Sequence, residues 1–158
     1  MGWPNRWKIG QIQRENYEVM AATIGDVLQQ LRSTIVNDPG INAIIGARYF
    51  PQKVDLEEFS AEYPYVSSSI VGGYTDTDNY KYNTYYLDFM YVSKNSIDEA
   101  LKLYDLFNST LNQQRFILQD QNAAFVVTED STPVDISGVW ADNILYIYIN
   151  SYKIRKVN

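Results

Sequence analysis

Apolar residues recur at helical spacing in two stretches of the chain. Ile24, Val27, Leu28, Leu31 and Ile35 fall at i, i+3, i+4, i+7 and i+11, one face of a 3.6-residue period. This predicts a helix running from Asn16 to the stop signal Asn37-Asp38-Pro39-Gly40. Gly25 weakens its first turns by about 1 kcal/mol relative to Ala. Ile41–Gly46 reads as a short helical turn capped by Gly46, and Ala47–Phe50 as a brief extended piece ended by Pro51. The second long helix opens at Ser96-Ile97-Asp98-Glu99, a capping box, and carries Ile97, Ala100, Leu101, Tyr104, Phe107 and Leu111 on one face.

Elsewhere the period is two. A strand opens at Tyr63-Pro64-Tyr65-Val66 and runs towards Val71, followed by a turn-rich connection, Gly72–Asn79. Along Tyr80–Ser93, Tyr85, Leu87, Phe89 and Tyr91 alternate with Tyr82, Thr84, Tyr86, Asp88 and Met90. Arg115–Leu118 is extended, Ala123–Thr128 is a strand, Glu129–Pro133 a polar turn, and Val134–Trp140 a short strand. Asn143–Ile154 is the strongest strand, with Leu145, Ile147 and Ile149 opposite Ile144, Tyr146, Tyr148, Tyr152 and Ile154. Strands grouped between helices, without strict βα alternation, predict an α+β fold: a mostly antiparallel, four- to five-stranded sheet against two main helices. Residues 16–158 form one domain in this reading, and residues 1–15 an N-terminal arm. Trp3 and Trp7 of that arm either tuck onto the domain's own core or anchor it on a neighbour.

Composition narrows the chemistry. The chain of 158 residues has no histidine and no cysteine. That removes triads built on His, thiolate nucleophiles, disulfides and most transition-metal sites. No catalytic residue and no cofactor is expected. The best remaining enzyme candidates are the carboxylates Asp55, Glu57, Glu58 and Glu62, in the form of a metal-dependent nuclease. Asp76-Thr77-Asp78 opens like a calcium loop, but Lys81 and Leu87 stand where Gly and Glu belong. The net charge of −6, with scattered basic residues, argues against specific nucleic-acid binding. No apolar run approaches the roughly 18 residues of a membrane span, and Met1–Lys8 lacks the core of a secretory signal. A soluble, non-secreted protein is expected.

Tyrosine stands out, at 14 residues. Two long helices cover about one face of such a sheet. Tyr82, Tyr86 and Met90 would then be exposed on the other face, joined by Tyr146, Tyr148 and Tyr152 if the strands register suitably. A patch of that kind usually meets a partner. Trp3, Trp7 and Tyr74 complete this candidate subunit interface. The alternative is that loops 51–62 and 129–140, with the N-terminal arm, cover the face internally. Asp55, Glu57, Glu58, Asp76 and Asp78 form candidate acidic loops facing a partner or a lumen.

The stretch Ile41–Pro51, an acidic loop, and then Tyr63-Pro64-Tyr65-Val66 resembles the tail-terminator (tail-completion) proteins of tailed bacteriophages. The hairpin, the helix from Ser96 and the final strands match in order, so the likeness covers roughly residues 20–154. The resemblance implies a structural virion protein assembled in the host cytoplasm. It implies a ring, typically a hexamer, that ends the tail tube and joins it to head-completion proteins of the neck. DNA would pass through that ring without specific binding; an acidic wall suits such a conduit. The arm at 1–15 and the length of the last strand depart from the family pattern and bear on the position in the neck. The competing expectations are another connector subunit or a small ligand-binding module.

Overall fold

The computed structural model describes residues 25, 27–59, 61–75, 83–118 and 123–157. The first helix, α1, is described over residues 27–37, and Val27, Leu31 and Ile35 of its stripe are buried. Pro39 ends α1 and begins α2 (Pro39–Ile45) at once, a position where its missing N–H costs nothing. The Asp38 Oδ1 caps α2 by accepting from the Ile41 N–H at 3.0 Å, and Gly46, at φ 58°, closes it. Oδ2 of the same Asp38 accepts from the Thr110 hydroxyl at 3.1 Å, tying α2 to α3 (Ile97–Leu111). Asp38→Ala removes both contacts and is expected to cost about 1–2 kcal/mol, read as a lower urea midpoint at unchanged slope; Thr110→Val should lose only the smaller part.

At α3 only half of the predicted capping box forms. Ser96 Oγ accepts from the Glu99 N–H at 3.2 Å. The Glu99 carboxylate instead accepts from the Ser93 hydroxyl at 2.7 Å and from the Asn95 amide, and the Ser96 N–H donates to Ser93 Oγ. The preceding strand end out-competes the helix for its own glutamate.

The strands are β1 (Tyr49–Phe50), β2 (Tyr65–Thr75), β3 (Asn83–Ser93), β4 (Arg115–Leu118), β5 (Ala123–Asp135), β6 (Gly138–Trp140) and β7 (Asn143–Val157). Their order is β1-β2-β3-β7-β5-β4, with β6 also on β7. The fold is α+β, as expected, but among the described residues the sheet has seven strands, not four or five. It is also mixed: β1 runs parallel to β2, while the other described pairs are antiparallel. Two expectations fail for one reason. β2 continues through the glycines to Thr75, and β5 continues through Glu129–Pro133 to Asp135. In each case bulges (between Ile70 and Gly72, and between Glu129, Ser131 and Val134) absorb residues that read locally as turns.

One face of the sheet lies under the helices. Leu87, Phe89 and Tyr91 of β3, Tyr152 and Ile154 of β7, and Phe125 and Val127 of β5 pack there against Phe107 and Leu111. The other face has a smaller core at one end, where Tyr65, Val92, Leu145 and Ile147 are buried beneath Leu56, Phe59 and Trp140. The segment expected to be an exposed acidic loop thus tucks its apolar residues onto the sheet.

Candidate subunit interface

Alternation within a strand sets which side chains share a face; pairing between strands decides whether two such faces join. In the β3–β7 ladder Tyr86 stands opposite Lys153 and Met90 opposite Ile149, whereas Leu87 stands opposite Tyr152 and Tyr91 opposite Tyr148. The expected tyrosine face therefore divides. Tyr86 and Met90 lie on the face away from the helices. Tyr148 and Tyr152 lie on the helix-facing side, in the main core.

Tyr152 is wholly buried. Its ring meets Phe89 edge-on at 5.2 Å, and its hydroxyl donates to Asn108 Oδ1 of α3 at 3.0 Å. It offers no surface to a partner, which corrects its place among the interface candidates. Tyr148 is partly buried against the same core. Tyr146 is half-buried opposite Ser93, at the end of the sheet. Met90 packs on the smaller core, so that end of the second face is covered from within the chain. Tyr86 remains half-buried beside Lys153. Tyr74 is placed by its backbone opposite Thr84. Trp3, Trp7, Tyr82, Asp76 and Asp78 lie outside the described residues.

Asp55, Glu57 and Glu58 are exposed together on one loop. Asp55 Oδ1 accepts from the Glu57 N–H at 3.0 Å, and Glu57 Oε2 accepts from the Ala141 N–H at 2.7 Å. Ala141 and Asp142 form the tight β6–β7 turn, with φ of 47° and 63°. Glu57 thus clasps that turn. Among the described residues no group of three or more carboxylates is placed to hold a metal ion.

Two features escaped the sequence reading. The first is a polar chain inside the main core. The Tyr91 hydroxyl donates to Asn150 Oδ1 at 2.8 Å; the Asn150 amide and the Tyr104 hydroxyl both donate to Glu129 Oε2, at 3.2 and 2.6 Å. Burial pushes the Tyr91 phenol well above its ordinary range, and the neighbouring Tyr152 adds to this. Asn150, a polar residue in an otherwise apolar run, was the available signal. The second feature is a pair of open sheet edges. β1 covers β2 only at Val66 and Ser67, so the outer side of β2 from Ser68 onwards faces no described strand. At the far end, β4 faces none either. Exposed apolar side chains mark both places: Ile70 (50%) and Val71 (56%) on β2, and Ile117 (57%) on β4. Beside the β2 edge a cleft of about 280 Å³ opens between Leu28, Tyr49, Leu87 and the Ser68–Ile70 segment.

No known protein family matches the sequence, and no curated protein matches it.

Proposed function

We propose that this chain is a structural subunit that assembles into a ring closing the head-proximal end of a phage tail tube. The observation that carries this reading is the joint formed by the two motifs on which the resemblance rests. Arg48 reaches from the first to the second: its Nε donates to the Pro64 carbonyl at 2.9 Å, and its Nη2 donates back to the Ile44 carbonyl at 3.1 Å. Tyr49 and Phe50 pair with Val66 and Ser67 across that joint. Two short motifs, 16 positions apart, thus meet as one unit with the acidic loop as its excursion.

The surface is consistent with packing. Natural sheets usually protect their edges with charge, proline or a covering element. Here Ile70, Val71 and Ile117 stand exposed at the edges instead. A ring also requires two unlike patches on each copy, because a heterologous contact must be made on both sides.

The test is a mass measurement in solution with electron micrographs of the same sample, repeated after adding tail tubes. Rings, alone or on tube ends, are the expected result. A chain that stays monomeric and binds neither tubes nor neck proteins would overturn the reading.

A further inference from the structure

We infer that copies join edge to edge: β4 of one copy adds along the outer side of β2 of the next, making one sheet continuous across the subunit boundary. This rests on the ring reading and names its contact.

The unpaired backbone of an edge strand accepts only another extended strand. β1 already occupies the start of that line, parallel to β2, and Pro51 turns the chain away after two residues. The remaining edge, Ser68–Thr75, faces no described strand and continues where β1 stops. Strand directions within the sheet identify the occupant. β3, β7, β5 and β4 alternate in direction from β2, so β4 and β2 point the same way. Copies related by rotation about an axis along the strands would present β4 parallel to β2, in the orientation β1 has. The same rotation keeps faces aligned. Arg115 and Ile117, opposite Val126 and Ala124, lie on the face away from the helices, as do Ser69 and Asp88.

The absence of cysteine makes a direct test available. In a parallel pair, side chains facing the same way on adjacent strands lie within disulfide reach. Ser69→Cys combined with Ile117→Cys, and Ser69→Cys combined with Arg115→Cys, bracket the register. Under mild oxidation at least one double variant is expected to give a ladder of covalent trimers and larger species, lost on reduction, while each single variant stays uncrosslinked. Assembled rings without a ladder from either pair would overturn edge joining and leave the ring reading standing. A monomeric mass without a ladder would overturn both.

Discussion

Stability is expected to be flat from about pH 6 to 9 and to fall steeply above pH 10. The chain has neither histidine nor cysteine, so no side chain ordinarily titrates between the carboxylates and the phenols. The core, in contrast, is full of tyrosine. Burial pushes Tyr49 and Tyr152 up to about 12. Contacts with Ser68 at Tyr49, and with Asn150 and Tyr91 at Tyr152, oppose this in part. Burial raises Tyr65, Tyr91 and Tyr104 in the same direction, and at Tyr104 the bond to Glu129 adds to it. The fold holds these phenols neutral. Once the pH passes the unfolded value near 10, the unfolded chain binds fewer protons than the native one, so unfolding becomes easier with each further increment. Each such tyrosine contributes up to about 1.4 kcal/mol per pH unit. Tyr49, Tyr91 and Tyr152 together approach roughly 4 kcal/mol per unit, against a typical total of about 5–15. Urea midpoints taken from pH 7 to 11.5 would read this. Tyr152→Phe should make the alkaline limb shallower. A midpoint unchanged through pH 11 would contradict the buried, neutral state of these phenols.

Phe89→Ala is expected to be the most damaging single truncation, at about 3–5 kcal/mol. Its ring is almost fully buried and touches four others: Tyr49 and Tyr91 stacked at 6.2 and 6.3 Å, Phe107 and Tyr152 edge-on at 6.0 and 5.2 Å. Those rings belong to β1, β3, α3 and β7, so the cavity would open at the point where the sheet meets its helix. Relaxation is limited, because the Tyr91 and Tyr152 hydroxyls are held by Asn150 and Asn108. Ile144→Ala is the control. Ile144 is 60% exposed, and its loss should stay within about 0.5 kcal/mol. Denaturant unfolding of both variants at neutral pH would check the pair; similar midpoints would mean that this cluster is not where the fold is held.

The features legible from sequence were those set by neighbours along the chain. The α3 stripe apart from the buried Leu103, the Gly46 cap and the alternation of β3 and β7 all depend on residues within a few positions of one another. What could not be read depends on pairing. Tyr91 faces Tyr148 because β3 and β7 register that way, and no alternation within either strand contains that offset. The same holds for Glu99, which reads as a partner for Ser96 but is held by Ser93 and Asn95. Glu129 reads as part of a polar turn. It becomes the end of a buried hydrogen-bond chain because β5 runs on beside β7, bringing it opposite Tyr152. For the candidate interface, residue type pointed to tyrosine, whereas edge position, which is a property of the whole sheet, points to Ile70, Val71 and Ile117.

The strand order also constrains how the molecule is made. β7 follows every other described strand in chain order yet stands between β3 and β5, pairing with both and with β6. A nascent chain emerging from the ribosome would hold β2–β3 and β4–β5 as separate hairpins with the seat between them vacant. Pairing over such separations is slow, because long loops must close before any contact rewards them. Each hairpin would meanwhile expose the side that β7 is to occupy. Co-translational folding would therefore stay incomplete until β7 arrives, and premature joining of one chain's hairpin to another's is the characteristic error open to it.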